Sequence, residues 1–123
     1  MTDKKVIVQK GVTMAVRIEI QTREDVDRLF SEEKALLFKK SLLCGISQRA
    51  MRELDKFAET KKDDWKIYIV DVNRNRELSQ LIAEKTQVKH ESPQAILLRK
   101  GEVIWSASHF SITSDACKKA TES

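Results

Sequence analysis

The amino-acid sequence predicts an α/β fold in which a central mixed sheet of about five strands is flanked by helices on both faces. Apolar residues recur with a two-residue period in some segments and every three or four residues in others, which gives the order β-α-β-α-β-α-β-β-α. Residues Ala35 to Phe38 form a continuous apolar run, as in a strand covered on both faces. Late in the chain, the pair Lys100-Gly101 separates two short strand-like segments and predicts an antiparallel hairpin.

The first half of the chain predicts two strands, each followed by a helix. Apolar and polar side chains alternate between Met14 and Ile20, which indicates a half-buried strand. Thr22 then offers a cap for a short helix, whose inward positions are Val26, Leu29 and Phe30. After the apolar strand, a second amphipathic helix is predicted from Gly45 to about Thr60. Cys44 is therefore expected at the N-terminus of that helix.

The second half repeats the pattern and ends in the hairpin. A strand is predicted from Trp65 to Val72 and a helix from Glu77 to about Lys85. The hairpin strands are predicted at Gln94 to Arg99 and Glu102 to Ser106. A last helix, about Ser114 to Thr121, follows Thr113 as its cap. Alternating strands and helices favour parallel strands joined by right-handed crossovers.

Chain length and composition predict one cytoplasmic domain. The chain has 123 residues, enough for one hydrophobic core, so we expect a single domain over 1–123 with residues 1–15 as an N-terminal extension. The segment from Met1 to Lys10 has neither the apolar core nor the cleavage site of a signal peptide, and no apolar stretch is long enough to cross a membrane. We therefore expect a cytoplasmic location and no membrane partner.

The two cysteines and the net charge argue against a metal site, a structural disulfide and a nucleic-acid partner. Cys44 and Cys117 have no histidine or cysteine nearby at metal-ligand spacing, so no metal site is predicted. A structural disulfide is improbable in a reducing cytosol, which leaves two free thiols. The net charge of +4 comes from lysines and arginines spread among 19 acids, which argues against a nucleic-acid partner.

The order of elements resembles thioredoxin, in which the reactive cysteine lies between the second strand and second helix, as Cys44 is predicted to do. Residues 70–86 and 92–103 resemble the C-terminal half of thioredoxin, and Pro93 falls where that family has its cis-proline.

The chain is still more similar to the monothiol bacilliredoxins of the bacillithiol system. The matching segments are Leu37-Phe38-Lys39, Cys44-Gly45-Ile46-Ser47, residues 88–95 (VKHESPQA) and residues 105–109 (WSASH). The resemblance covers about Ile20 to Ala120. At the positions of Gly45 and Leu43, that family commonly has proline and threonine.

This resemblance implies a thioredoxin-like fold and a redox-active cysteine. Disulfide exchange needs a thiolate, and the free N–H groups at the start of the second helix would stabilise one at Cys44. Gly45, Ile46 and Ser47 complete the active-site motif. Ser47 stands where a dithiol enzyme has its second cysteine, and a hydroxyl cannot resolve a mixed disulfide, so a monothiol cycle follows.

The substrate-binding residues implied by the resemblance are Ser92 and Pro93. A cis Pro93 would face Cys44 and leave the backbone of Ser92 open to pair with the bound partner. We also expect a loop from Ala107 to Phe110 to approach the same face, where His109 would contact the small thiol.

Several side chains have a plainer interpretation. Cys117 lies on or beside the apolar stripe of the last helix, so core packing is favoured over a role as resolving thiol. His90 and His109 are separated by a hairpin and lack a third metal ligand, so ordinary surface or loop histidines are favoured for both. Lys39, Lys40 and Arg49 would add positive potential near Cys44, but lysines and arginines are more often solvated.

The sequence thus predicts a monothiol thiol-disulfide oxidoreductase that removes bacillithiol from protein mixed disulfides through Cys44. Its partners would be S-thiolated client proteins and an outside thiol or reductase. Bacillithiol would be a co-substrate and no bound cofactor is expected. The alternatives are exchange with glutathione or coenzyme A, and a redox-inactive adaptor of the same fold that binds a protein partner.

Overall fold

The computed structural model describes residues 8–9, 12–13, 17–41, 45–60 and 65–122. Its strands are β1 (Val8–Gln9), β2 (Val12–Thr13), β3 (Arg17–Glu19), β4 (Lys34–Lys40), β5 (Lys66–Asp71), β6 (Gln94–Arg99) and β7 (Glu102–Ser108). Its α-helices are α1 (Arg23–Ser31), α2 (Gly45–Thr60), α3 (Arg76–Thr86) and α4 (Ser114–Glu122), and a 3-10 turn covers His109–Ser111. The predicted order of strands and helices is confirmed from β3 to α4.

The main sheet in the described part of the chain has five strands in the order β3-β5-β4-β6-β7. Strands β3, β5 and β4 are parallel, whereas β6 runs antiparallel to β4 and pairs with β7 as a hairpin. The short strands β1 and β2 pair with each other outside this sheet. The expected mixed sheet is therefore confirmed.

The helices cover both faces of the sheet. One core cluster packs α2 and α4 against the sheet through side chains such as Leu54, Phe57 and Cys117. The other packs α1 and α3 against the opposite face through side chains such as Val26, Leu29 and Ile82. Ala35 to Phe38 are all buried, as the apolar run predicts, because β4 lies in the middle of the sheet with helices on both sides.

Local signals in the sequence fix several element ends. The Thr22 hydroxyl accepts a hydrogen bond from the backbone N–H of Asp25 at 3.2 Å, and the Asp25 carboxylate accepts one from the Thr22 N–H at 3.1 Å. This reciprocal capping box begins α1 as predicted. Thr113 likewise caps α4 through a 3.1 Å bond from the Ala116 N–H. In the hairpin turn Gly101 has φ +82°, and a Cβ there would lie 2.8 Å from the Phe30 carbonyl oxygen, so glycine is needed.

One predicted boundary is wrong and another is only partly tested. Strand β3 covers Arg17–Glu19, within the predicted strand, and residues 14–16 of that prediction lie outside the described residues. Strand β7 is longer than predicted, because Ala107 and Ser108 pair with Ala95 and Gln94 of β6. Ala107 and Ser108 therefore belong to a strand and not to a loop, since pairing with a neighbour satisfies their backbone groups.

Candidate functional site at one edge of the sheet

The predicted site residues come from loops that meet at one edge of the main sheet. The parallel strands β4 and β5 end at this edge, and a 2.9 Å hydrogen bond from the Val72 N–H to the Lys40 carbonyl joins the segments that follow them. Strand β6 begins there after Pro93, and β7 ends there before His109. The His109 N–H donates to the Pro93 carbonyl at 3.0 Å. The topology thus brings together the chain segments next to the ends of β4, β5 and β7 and the start of β6.

The start of α2 carries the proposed reactive motif. Cys44, with Leu42 and Leu43, lies outside the described residues, and Gly45 is the first residue of α2. The first turn of α2 contains no acidic side chain, so its positive dipole end is not neutralised locally. Gly45 is exposed and Ile46 is half-buried.

Ser47 holds the chain before the motif in place. Its side chain is buried, and its hydroxyl oxygen accepts a 3.1 Å hydrogen bond from the Ser41 backbone N–H. This bond links the first turn of α2 to the end of β4. Ser47 therefore has a structural contact of its own.

The segment before β6 supplies the proposed substrate-binding backbone. The Ser92–Pro93 peptide bond is cis, as the resemblance implies, and Pro93 is buried. The Ser92 hydroxyl is buried and has no hydrogen-bond partner among the described residues. The Gln94 side-chain amide donates a 2.9 Å hydrogen bond to the Lys89 carbonyl, which links the start of β6 to the segment before Pro93.

His109 and Phe110 form the outer part of the edge. His109 has a positive φ of 55°, and its Nε2 lies 3.7 Å from a carboxylate oxygen of Glu91. Phe110 is 62% exposed, and the Arg49 guanidinium lies 5.4 Å from the centre of its ring. The expectation that this segment approaches Pro93 is confirmed by the His109 backbone bond, and the contact of His109 with a small thiol stays a prediction.

A polar cluster around the buried Lys39 lies behind this edge and was not predicted from the sequence. The expectation that Lys39 is solvated is wrong, since its side chain is fully buried. Its ammonium group lies 3.3 Å from the Ser79 carbonyl oxygen and 3.3 Å from His90 Nδ1. The Ser79 hydroxyl also lies 3.2 Å from His90 Nδ1. His90 is an exposed loop histidine, as predicted, but its ring also contacts two side chains.

The electrostatics of this cluster follow from burial. Burial lowers the pKa of Lys39 to about 8. Burial also lowers the pKa of His90, and the neighbouring Lys39 charge lowers it further against the opposing effect of Glu91. A protonated Lys39 has only donors, so Nδ1 of His90 must accept and the neutral ring carries its proton on Nε2. This cluster therefore presents a donor at His90 Nε2.

Cys117 lies in the core between α4 and α2. Its side chain is fully buried, and burial raises the pKa of the thiol to about 12, with Glu53 contributing in the same direction. A protonated thiol without access to solvent is a poor nucleophile. The structure therefore favours packing over a resolving role for Cys117.

The described residues contain neither a candidate metal site nor a candidate membrane-spanning helix. Over the described ranges, no group of three or more histidine, cysteine, aspartate or glutamate side chains is placed to hold a metal ion. Likewise, none of the helices found in those ranges has the length and apolar character needed to span a membrane.

The sheet order, the two helical layers and the cis-proline directly before β6 define a thioredoxin-fold protein. A solved structure described as "A putative oxidoreductase with a thioredoxin fold" is 31% identical, with a TM-score of 0.79 over 85% of this chain and 93% of that chain. The thioredoxin of Malassezia sympodialis is 15% identical, with a TM-score of 0.72 over 90% and 92% of the two chains. The thioredoxin of Trypanosoma brucei brucei is 17% identical, with a TM-score of 0.70 over 94% and 96%.

The family model described as "Monothiol bacilliredoxin BrxC" matches residues 18–117. The chain therefore belongs to the monothiol bacilliredoxin BrxC family. Membership and fold together support a role of the thiol oxidoreductase type.

Proposed function

We propose that this protein is a monothiol thiol-disulfide oxidoreductase that removes bacillithiol from protein mixed disulfides through Cys44. The observation that carries the proposal is that α2 begins at Gly45, directly after Cys44, with no acidic side chain in its first turn. Free N–H groups and an unopposed positive dipole end at this point favour a thiolate over a thiol. Lowering the pKa of Cys44 toward neutral would raise the fraction of the reactive form.

The proposed cycle has two exchange steps. The Cys44 thiolate attacks the bacillithiol sulfur of a mixed disulfide, the bond between that sulfur and the client breaks, and the client cysteine leaves as a thiolate that takes a proton from water. Cys44 then carries bacillithiol as a disulfide. A second thiol, from bacillithiol or a reductase, attacks the bacillithiol sulfur and releases Cys44 as a thiolate. That outside thiol supplies both electrons, since Ser47 has no sulfur.

The edge around Pro93 suits the binding of the client disulfide. The Ser92 hydroxyl is without a partner among the described residues, and the exposed imidazole of His109 lies on the same edge. We expect the Ser92 backbone to pair with the substrate and His109 to contact the small thiol. The cycle needs reduced thiols, which fits a cytoplasmic location.

The test compares release of a small thiol from three forms of one client protein, carrying bacillithiol, glutathione or coenzyme A. Release is followed by the mass of the client, with wild type, Cys44→Ser and Cys117→Ala. We expect wild type and Cys117→Ala to release bacillithiol at similar rates and Cys44→Ser to release none. Equal release by Cys44→Ser would refute the proposal.

The other arms of the same experiment decide between substrates. Faster release of glutathione or coenzyme A than of bacillithiol would retain the chemistry and refute the bacillithiol assignment. No release of any thiol, together with partner binding that survives Cys44→Ala, would instead support the redox-inactive adaptor.

A further inference from the structure

A cavity of about 340 Å³ lies between α3 and the segment that precedes Pro93. The lining side chains are all neutral or basic: Val72, Asn73, Arg76, Ser79, Gln80 and His90. Carboxylates are absent from this set, whereas amide, hydroxyl, guanidinium and imidazole groups can all donate hydrogen bonds. A cavity with many donors and no acid is suited to an anionic ligand.

A buried side chain next to the cavity, Lys39, adds a positive charge. The fully buried Lys39 ammonium contacts Ser79 and His90, which both line the cavity, and it makes no ion pair with a carboxylate among the described residues. Because Lys39 donates to His90 Nδ1, the neutral ring offers its Nε2–H as a further donor. A buried positive charge without a counter-ion costs free energy, and an anion bound nearby would recover part of that cost.

The cavity lies beside the edge that carries the proposed thiol site. His90 is three residues before Pro93 in the chain, and Lys39 pairs with Gln94, the residue that follows Pro93. Val72, at the rim of the cavity, bonds to the Lys40 carbonyl at the end of β4. The Ser41 hydroxyl donates to the Asn73 side chain, which lines the cavity, at 2.9 Å, and the Ser41 N–H bonds to Ser47 in the first turn of α2. A small molecule joined through its sulfur to Cys44, the residue before α2, would then extend toward the cavity.

We propose that the cavity between α3 and the segment before Pro93 binds an acidic group, a carboxylate or a phosphate, of the low-molecular-weight thiol that reacts with Cys44. The proposal rests on the proposed function. Arg76 and His90 are the specificity-determining residues, and Lys39 is a positioning residue that acts through His90. Bacillithiol, glutathione and coenzyme A all carry acidic groups, whereas 2-mercaptoethanol carries none. The cavity would therefore favour the first three over a neutral thiol.

The kinetic test measures kcat/KM for release of each of these thiols from the same client protein. We expect Arg76→Gln to reduce kcat/KM for the acidic thiols by roughly 3- to 10-fold, since one charge-assisted hydrogen bond is lost at a partly screened site. Release of 2-mercaptoethanol should be unchanged. The control is Arg74→Gln. This variant removes an equal charge two residues from Arg76, and the Arg74 side chain does not line the cavity. Equal losses for acidic and neutral thiols, or equal losses in Arg74→Gln, would overturn the proposal.

A binding measurement separates failure of the cavity from failure of the exchange chemistry. Inorganic phosphate is titrated into Cys44→Ser at constant ionic strength, and amide chemical shifts are followed by NMR. We expect shifts at residues 73–80 and at His90 that saturate, and that weaken in a Cys44→Ser protein that also carries Arg76→Gln. Saturating shifts without any thiol release would support the cavity and refute only the proposed function. Absence of saturating shifts at these residues would refute the cavity even if release occurs.

Discussion

The buried Lys39 ammonium predicts an unusual dependence of stability on pH. Burial lowers the pKa of this group from 10.5 to about 8, and its side chain is fully covered in the native fold. The native protein therefore loses this proton at lower pH than the unfolded chain does. Between about pH 8 and pH 10.5 the unfolded chain binds more protons, so Lys39 makes the free energy of unfolding rise with pH.

The size of this effect follows from the two pKa values. If the whole difference between the two pKa values acted on stability, the free energy of unfolding would rise by roughly 3 kcal/mol. Solvent screening near the exposed His90 reduces the expected rise to about 1–2 kcal/mol. Lys39→Met removes the titrating group and keeps the length of the side chain. Relative to this variant, wild type should gain about 1–2 kcal/mol in its free energy of unfolding as the pH rises from 7 to 10.

Urea denaturation at several pH values, followed by circular dichroism, measures this difference. Lys40→Met is the matched control, because it removes the neighbouring positive charge and leaves the contacts of Lys39 with Ser79 and His90 in place. Parallel pH curves for wild type and Lys39→Met would refute the reasoning. So would an equal change of slope in Lys40→Met, because the effect would then come from net charge and not from burial.

Three further predictions concern the start of α1, the start of α2 and the core thiol. Thr22→Ala removes the capping box of α1 and should lower the free energy of unfolding by about 1 kcal/mol in urea denaturation; an unchanged midpoint would show that the cap is not stabilising. Gly45→Pro should raise it by about 0.4–1 kcal/mol, because a Cβ there meets no described atom within 4 Å and proline suits the first position of a helix; a lower midpoint would contradict this. In Cys44→Ser, Cys117 should react with iodoacetamide only under unfolding conditions, because the thiol is buried and its pKa is raised to about 12. Labelling of the native protein within minutes, detected by mass, would mean that α4 opens readily.

Elements with local signals could be predicted from the sequence. The cap at Thr22 depends on a hydrogen bond to a residue three positions away. The turn at Lys100-Gly101 depends on the backbone angles of those two residues. The apolar run of β4 similarly predicts that this strand is buried on both faces, as the structure shows. The end of β7 could not be found in this way, because Ala107 and Ser108 are strand residues only through their pairing with β6.

The cluster around Lys39 could not be predicted from local pattern alone. Its partners Ser79 and His90 are 40 and 51 residues away in the chain, so no window of sequence contains them together. One signal was nevertheless present. Side chains alternate along a strand, and position 39 lies on the same face as Ala35 and Leu37, which pack against α1 and α3. Extending that alternation to the end of β4 would have pointed Lys39 toward the buried face.

The burial of Cys117 and the cationic cavity fit one another under the proposed cycle. If Cys117 were accessible, it could resolve a mixed disulfide at Cys44 within the same chain, and the small thiol would not need to be held there. Cys117 instead lies in the core with a raised pKa, so the second exchange step depends on a thiol from solution. The small thiol therefore stays on Cys44 until that thiol arrives. Donors on α3 and the buried charge of Lys39 would hold the acidic group of the small thiol on Cys44, and a fixed orientation of the mixed disulfide favours attack by the outside thiol.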